Sequence, residues 1–541
     1  MQRKHVLYPL AIVALLVAML PIAAVAQQAP PAQPGTWSLE TYAPPAEAKG
    51  AVPSGKAAQP GAALEGMLSP DGMAMFGEIE PNNSAATANV LPTPPLVAMA
   101  NIFPATDVDY FSFTGNAGDR VYAAVMTSFS ANSSSDSQLR LYASDGTTEI
   151  EFDDDDGTFG GLASSIAGAT LPSAGVYYLR VNHFTASTGQ LRPYYLYLRL
   201  QNGSPTAEIE ANDTPATANP LPANGWVSGT RNPAAATEQD WYSFSANAGD
   251  TVYLSLDLDP ERDAVQWDGR LGIALFGDAG NQILVVNDAS TGSATNPLSE
   301  ALFMTVKTAG TYFAFVDSAN AAVGGPTATY NLSVTIYPAA NEGVNCTTYV
   351  STDPPLPIGP TAGTLTSSSI TVPGNPRVAD LDVSIQLNHA LMQDIDAVLR
   401  SPAGNSNSIF TDIGAAAAGG QTQMDVTFDD EAAIQPAFTV LKGINLKPEL
   451  GYRLGWFDGI NAGGTWTLDL YDDANAASGG TLTGWSITIC EPPPPPVCPV
   501  GYDPVTVYST NFEADNGGFT ASGTAVDWAW GAPTAARSAM A

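Results

Sequence analysis

The chain has 541 residues, of which only 13% are charged, with 19 Lys and Arg against 53 Asp and Glu. The formal net charge is −34, so the chain lacks the basic residues with which nucleic-acid-binding proteins displace counterions from phosphates. An anionic membrane surface repels it for the same reason. Hydrophobic residues make up 45% of the chain, which excludes wholesale disorder, and the length predicts three or four domains.

The N-terminus has the order of a secretory signal peptide. Arg3 and Lys4 precede an apolar run over residues 6–20, and Ala24-Val25-Ala26 supplies a small-residue cleavage site. The alternative is a membrane anchor, but the run is shorter than the roughly 20 apolar residues that a spanning helix needs. We therefore predict a signal peptide over residues 1–26, cleavage after Ala26, and a secreted or cell-surface protein whose mature form has no membrane span.

The rest of the chain predicts an all-β fold. Residues 27–77 are rich in Ala, Pro, Gly and Gln without a structural period, which is typical of an extended linker. From Glu78 onward, short runs with apolar residues at every second position alternate with Gly, Asn and Asp turns. This pattern favours tandem jelly-roll or β-sandwich modules joined by linkers.

An internal repeat defines the first two modules. GEIEPNNSAATANVLP from Gly77 matches AEIEANDTPATANPLP from Ala207, and DVDYFSFTGNAGDRVY matches EQDWYSFSANAGDTVY. Two copies of one β-sandwich, over residues 78–202 and 206–338, explain these matches. The opening Glu-x-Glu-x-Asn-Asp/Asn and the Ala-Gly-Asp turn resemble the bacterial pre-peptidase C-terminal domain family in both copies.

That resemblance implies a small jelly-roll sandwich that accompanies secreted peptidases. In some collagenase members the family binds calcium through the opening acidic motif and collagen through surface tyrosines. In this chain the tyrosines could equally face the cores of the sandwiches. The candidates for a binding surface are Tyr142, Tyr194, Tyr195 and Tyr197.

The opening motif also suits a cation on chemical grounds, because clustered carboxylate and amide oxygens are the ligands of calcium. The alternative is a polar, solvated linker, and the resemblance favours calcium. The acidic run over residues 153–156 is more typical of a solvated turn. In the first copy the candidate ligands are Glu78, Glu80, Asn82, Asn83, Asp107 and Asp109, and in the second they are Glu208, Glu210, Asn212, Asp213 and Asp240.

A third module covers residues 342–491. The segments with Ser401-Pro402 and Gly464-Thr465-Trp466, together with Trp485, resemble the P domain, or Homo B domain, of subtilisin-like proprotein convertases. The resemblance implies a jelly roll that stabilises a neighbouring protease and commonly binds calcium. Ordinary turn chemistry is the alternative explanation for its acids. The candidate ligands are Asp394, Asp396, Asp429, Asp472 and Asp473.

The three cysteines suggest one disulfide in an exported protein. Pairing Cys346 with Cys490 ties together the two ends of the third module, and Cys498 is then free or waits for a partner elsewhere. Between Cys490 and Cys498 lie five consecutive prolines, which predict a stiff spacer. We expect residues 492–541 to be this spacer and the start of a truncated β module.

No catalytic constellation stands out in the sequence. The nucleophile motif G-x-S-x-G and the zinc motif H-E-x-x-H are both absent, so we predict no catalytic residues. Two hypotheses remain. The chain is a secreted, non-catalytic array of calcium-stabilised modules that binds an extracellular protein or polysaccharide or supports a protease catalytic domain. Alternatively, it is a fragment of a secreted subtilisin-like serine endopeptidase whose catalytic domain lies outside this chain.

Overall fold

The computed structural model describes residues 75–493, apart from 128–129, 131–135, 156–161, 186–187, 236, 276–280, 287–296, 340–342, 361–362, 415–421, 437–441, 450 and 474–478. The predicted signal peptide with Ala26, most of the predicted linker, Cys498 and the C-terminal segment from residue 494 lie outside the described residues. The described part is an all-β protein, as predicted, and its helical structure is limited to three 3-10 turns, Ala85–Thr87, Met392–Asp394 and Leu454–Phe457. None of its helices is long and apolar enough to cross a bilayer.

The first sandwich consists of two five-stranded sheets. One sheet has the order β1-β3-β10-β5-β8 and the other the order β2-β4-β9-β6-β7. Because β1 pairs with β3, residues 75–77, which the sequence assigned to the linker, belong to this sheet. The strands are β1 Met75–Gly77, β2 Asn89–Val90, β3 Leu96–Ile102, β4 Asp109–Gly115, β5 Arg120–Met126, β6 Ser137–Tyr142, β7 Glu149–Asp153, β8 Ser165–Thr170, β9 Gly175–His183 and β10 Leu191–Gln201.

The second sandwich repeats this topology strand for strand. Its sheets contain β11-β13-β20-β15-β18 and β12-β14-β19-β16-β17, the same orders as in the first sandwich with every number raised by ten. The sequence repeat therefore corresponds to a repeat of architecture. The strands are β11 Thr206–Ala207, β12 Asn219–Pro220, β13 Trp226–Thr230, β14 Asp240–Ala246, β15 Thr251–Asp257, β16 Arg270–Leu275, β17 Asn281–Val286, β18 Ser299–Val306, β19 Gly310–Asp317 and β20 Thr329–Tyr337.

The third module pairs directly with the second. Its strand β28 lies antiparallel to β18, so one sheet continues through β28-β27-β24-β30-β21, with β22 also paired to β30. A second sheet has the order β23-β29-β25-β26, and the predicted disulfide joins Cys346 to Cys490. The strands are β21 Val344–Val350, β22 Leu356–Ile358, β23 Thr364–Val372, β24 Asp380–His389, β25 Ile395–Arg400, β26 Ser406–Phe410, β27 Gln423–Phe428, β28 Lys442–Leu446, β29 Gly464–Asp472 and β30 Gly480–Glu491.

Strand β10 explains how the two sandwiches pack together. Successive side chains of a strand point to opposite faces. Tyr194 and Leu196 enter the core of the first sandwich, whereas Tyr195 and Tyr197 join the core of the second. The Tyr197 ring lies 4.5 Å from the Phe303 ring of the second sandwich. Both faces of β10 are therefore covered.

This packing corrects the predicted tyrosine surface. Tyr194 and Tyr197 are fully buried, Tyr195 is 8% exposed, and Tyr142 is 9% exposed and stacked on Tyr110 with 6.2 Å between ring centroids. A ring that is buried against a neighbouring sandwich cannot contact an external ligand. For Tyr194, Tyr195 and Tyr197 the structure supports the alternative that they face the cores, whereas Tyr142 belongs to neither core cluster and is covered by Tyr110 instead.

Candidate metal-binding sites

The first sandwich brings three of its predicted ligands together. Single carboxylate oxygens of Glu78, Glu80 and Asp109 lie within 4.8 Å of one another. Glu78 and Glu80 lie on the segment after β1, and Asp109 opens β4. The carbonyl of Asn82 accepts a hydrogen bond of 3.0 Å from the Tyr110 amide, which holds this segment against β4. We call this group the first acidic site.

Repulsion and burial dominate the electrostatics of the first acidic site. Burial, together with the charge of Glu80, raises the pKa of Glu78 to about 7. Burial and the neighbouring Glu78 raise the pKa of Asp109 well above its ordinary value. Glu78 Oε1 accepts the Asn101 amide at 2.8 Å, but no N–H or hydroxyl donor reaches its buried Oε2, and a hydrogen bond with the Asp109 carboxyl requires a proton on one of the two acids. The site therefore needs a proton or a cation to offset its charge.

The second sandwich forms a matching group from Glu208, Glu210 and Asp240, whose ligand atoms also lie within 4.8 Å of one another. The carbonyl of Asn212 accepts the Trp241 amide at 3.0 Å, as Asn82 does from Tyr110. Burial and the charge of Glu208 raise the pKa of Asp240 to about 9. We call this group the second acidic site.

Orphaned polar atoms mark the second acidic site as well. No protein donor reaches the buried Oδ1 of Asp240, and both polar atoms of the fully buried Asn212 side chain lack a hydrogen-bond partner. Buried polar groups normally find partners, because leaving one unsatisfied costs about 1–3 kcal/mol. An oxygen-seeking cation would satisfy the free oxygens at both acidic sites.

A buried tyrosine orients the aspartate in each site. The Tyr194 hydroxyl donates to Asp109 Oδ2 at 2.5 Å, and the Tyr330 hydroxyl donates to Asp240 Oδ2 at 2.7 Å. These tyrosines occupy equivalent positions on β10 and β20, which the sequence repeat matches as YYLYLRL and YNLSVTI. The sequence assigned Tyr194 to a binding surface, but the structure gives it this internal contact.

The remaining predicted ligands surround the two groups. The Asn83 amide donates to Asp107 Oδ1 at 3.0 Å, and Asp107 Oδ2 accepts the Phe103 amide at 3.1 Å. In the second sandwich, Glu238 Oε1 accepts the Asn232 amide at 3.0 Å in the same way. Asp213 lies close enough for its charge to raise the pKa of Glu238, after burial and the charge of Glu210.

Glu238 is absent from the predicted ligands. The repeat places it at the position of Asp107, so comparing DVDYF with EQDWY could have identified it.

A further acidic group lies elsewhere on the first sandwich. Ligand atoms of Asp136, Asp154 and Asp155 also lie within 4.8 Å of one another. Burial and the charges of Asp154 and Asp155 raise the pKa of Asp136 to about 6. The sequence favoured a solvated turn for this acidic run and did not indicate that Asp136, which directly precedes β6, lies beside it.

The predicted ligands of the third module lie in two separate regions. Asp394 ends a 3-10 turn and its carbonyl accepts the Asp473 amide at 3.1 Å, while buried Asp472 lies 3.6 Å from His389 Nε2. Asp396 lies nearby on β25, and burial followed by the charge of Asp412 raises its pKa to about 6.

Asp429 belongs to a different part of this module. Its Oδ1 accepts the Glu431 amide at 2.6 Å, and burial raises its pKa. Its charge in turn contributes, after burial, to raising the pKa of Glu431 to about 9. Among the described residues, the third-module acids form no group of three with ligand atoms within 4.8 Å.

Two family models match parts of the chain. The model described as bacterial pre-peptidase C-terminal domain matches residues 107–183, within the first sandwich. The model described as proprotein convertase P-domain matches residues 378–489. These matches confirm the two predicted resemblances for the first sandwich and the third module, and both describe domains associated with proteases. No curated protein matches this chain.

The solved structures described next align with about a quarter of this chain or less. The serine protease of Aeromonas sobria in complex with its chaperone is 17% identical over 27% of this chain and 26% of that chain, with a TM-score of 0.18. This chain thus spans about a quarter of that protease. The pre-peptidase C-terminal domain of a Bacillus anthracis collagenase is 15% identical over 21% of this chain and 94% of that chain, with a TM-score of 0.17. A periplasmic inhibitor of g-type lysozyme from Aeromonas hydrophila is 18% identical over 21% and 96% of the two chains, with a TM-score of 0.16.

Proposed function

We propose that this chain is a secreted, calcium-stabilised accessory array that supports a protease or binds an extracellular protein or polysaccharide, without a catalytic site of its own. The observation that carries the proposal is the repeated acidic site. Two sandwiches with the same strand order each gather two glutamates and an aspartate around oxygens that no protein donor satisfies. The repetition favours a second pre-peptidase C-terminal domain over residues 206–338.

Calcium fits these residues better than a transition metal. The available donors are carboxylate and amide oxygens, and calcium takes 6–8 oxygen ligands at 2.3–2.6 Å in flexible geometry. Glu78, Glu80 and Asp109 would hold the ion in the first sandwich, and Glu208, Glu210 and Asp240 in the second. A divalent cation would neutralise the repulsion that raises the pKa values of these carboxyls, so calcium would stabilise the folded state.

Thermal unfolding with millimolar calcium or with chelator tests this proposal. Calcium is expected to raise the melting temperature of the full chain, because it binds the folded state preferentially. Glu78→Gln with Asp109→Asn, and Glu208→Gln with Asp240→Asn, should each remove part of that gain, and the four changes together should abolish it. Asp145→Asn, which alters an exposed turn acid, is the matched control and should leave the gain intact. A melting temperature that does not respond to calcium rejects the calcium sites.

The alternative of a serine endopeptidase fragment is favoured by the proprotein convertase P-domain match. Because the alternative also places the catalytic domain outside this chain, the purified chain alone should not cleave casein under either function. Material captured from the native culture medium with an antibody against this chain distinguishes them. The alternative predicts that the captured polypeptide is longer than this chain and cleaves casein until a serine-directed inhibitor is added. The accessory role predicts capture of this chain without such a covalently attached activity, whatever the outcome of the calcium experiment.

A further inference from the structure

One tryptophan differs from the others in the described part of the chain. Trp456 is 59% exposed, although an indole ring is among the largest apolar groups a protein can bury. The remaining described tryptophans are all at most 7% exposed, namely Trp226, Trp241, Trp267, Trp466 and Trp485. The sequence does not separate Trp456 from these, and neither acidic site involves it.

The turn that carries Trp456 is anchored on both sides. Leu454 and Phe457 are buried in the core, and the Phe457 ring lies 5.3 Å from the Trp466 ring at an angle of 73°. The Asp430 carboxylate accepts the amides of Leu454 at 3.0 Å and Gly455 at 2.8 Å. A side chain on so constrained a turn loses little further backbone freedom when it binds a ligand.

Charged groups of both signs lie on or beside the turn that carries the exposed ring. Arg453 and Asp458 are exposed on the same turn, and the Asn407 amide donates to the Arg453 carbonyl at 2.5 Å. The Asp458 carboxylate lies beside Gly455, since a Cβ added there would be 3.2 Å from Asp458 Oδ2. The Arg377 guanidinium similarly lies near Gly459, 3.4 Å from where a Cβ would be. The turn therefore offers a ligand both hydrogen-bond donors, from the two arginines, and a hydrogen-bond acceptor, from Asp458.

This chemistry narrows the class of ligand. A protein hot spot normally sits within a contiguous apolar patch, but between Leu365 and the end of the described range Trp456 is the one large hydrophobic side chain that is exposed. A cationic ligand would require surplus acid, which the flanking arginines offset. A sugar ring combines an apolar C–H face, which stacks on an indole, with hydroxyls that both donate and accept hydrogen bonds.

We propose that Trp456 and the polar groups of its turn bind a carbohydrate, with a sugar ring stacked on the indole. This inference deepens the polysaccharide branch of the proposed function, but it lies in the third module and involves none of the ligands of the two acidic sites. If the chain binds no carbohydrate, the calcium proposal still stands. If calcium does not stabilise the chain, the carbohydrate proposal still stands.

Retention of the full chain on insoluble polysaccharides tests the proposal. Peptidoglycan, chitin and xylan are the probes, and immobilised gelatin is the protein probe. We expect retention on at least one polysaccharide, about tenfold weaker after Trp456→Ala and partly kept after Trp456→Phe. Leu365→Ala, which truncates another exposed side chain of the same module, should leave retention unchanged. Unchanged melting temperatures would show that the variants fold.

Three outcomes would overturn the proposal. The first is no retention of the unaltered chain on any of the three polysaccharides. The second is retention that Trp456→Ala does not weaken. The third is dependence on Trp456 for gelatin alone, which would make this surface a protein contact.

Discussion

The two acidic sites share a framework and differ in their hydrogen bonds. In the first sandwich, Tyr194 donates to Asp109, and Glu78 Oε2 has no donor. In the second, Tyr330 donates to Asp240, and Glu208 Oε2 lies 3.1 Å from the hydroxyls of both Tyr330 and Tyr242. The position of Tyr242 is occupied in the first sandwich by Phe111, which has no hydroxyl.

The difference shows that one acidic framework can be stabilised in two ways. In the second site, tyrosine hydroxyls lie within hydrogen-bonding distance of the glutamate, and the oxygen without a partner is Oδ1 of Asp240. In the first site, the oxygen without a partner is Oε2 of Glu78. Both sites keep a buried, repulsive carboxylate pair. The feature common to the two sandwiches is therefore the demand for a cation or a proton, and the tyrosine network is the variable part.

Arg262 links the two sandwiches, so changing it tests whether they are stable independently of each other. From the second sandwich it contacts Asp257 at 2.7 Å and Glu151 of the first sandwich at 3.0 Å, and it donates to the Ala167 carbonyl at 2.6 Å. Arg262→Ala leaves two buried carboxylates without their partner, so the free energy of unfolding should fall by about 3–5 kcal/mol. Urea denaturation measures this loss.

Arg140→Ala is the control for Arg262. Arg140 pairs at 3.0 Å with Glu149, whose side chain is 38% exposed, so its removal should cost at most about 1 kcal/mol. Equal losses from the two variants would show that the Arg262 cluster does not couple the sandwiches.

The sequence predicted the repeated strands and acidic residues, but not how the modules pack against one another. The matched motifs located Glu78, Glu80 and Asp109 and their counterparts, because a repeated spacing on repeated strands returns the same residues to the same place. Alternation along β10 indicated two faces, yet it could not reveal that a second sandwich covers the outer face and buries Tyr197. The pairing of β18 with β28 likewise depends on long-range packing, for which a single sequence carries no local signal.

The calcium-free protein should lose stability as pH rises. Folding raises the pKa of Glu78 from 4.5 to about 7 and that of Asp240 from 3.8 to about 9, so each group holds its proton more tightly in the folded state. Between those values the folded chain binds more protons than the unfolded chain, and the free energy of unfolding falls by at most about 1.4 kcal/mol per pH unit for each group.

Melting curves in chelator from pH 5 to 9 measure this slope. Glu78→Gln should flatten it below about pH 7, whereas Asp240→Asn should flatten it over the whole range. If stability instead rises with pH in the absence of calcium, the carboxyls do not hold protons in the folded state as described.

Removing the tyrosine hydroxyls should affect the two sandwiches unequally. Tyr330→Phe removes donation to Asp240 and disrupts contacts with Glu208 and Tyr242, and we expect a loss of about 2–3 kcal/mol. Tyr194→Phe removes one hydrogen bond to Asp109 and should cost about 1.5 kcal/mol. Denaturant unfolding of both variants in calcium-free buffer provides the comparison, and a larger loss from Tyr194→Phe would contradict it.

The smallest change exchanges the one hydroxyl by which the sites differ. Tyr242→Phe gives the second sandwich the residue of the first and should cost about 1 kcal/mol, because Glu208 loses a donor. Phe111→Tyr is the reciprocal change, and its hydroxyl should reach the unsatisfied Glu78 Oε2, which makes the substitution neutral or stabilising despite the full burial of this position. Calcium-free melting curves measure both. If Phe111→Tyr destabilises the fold by more than about 1 kcal/mol, the buried hydroxyl has found no acceptor, and the two sites differ in backbone geometry as well as in side chains.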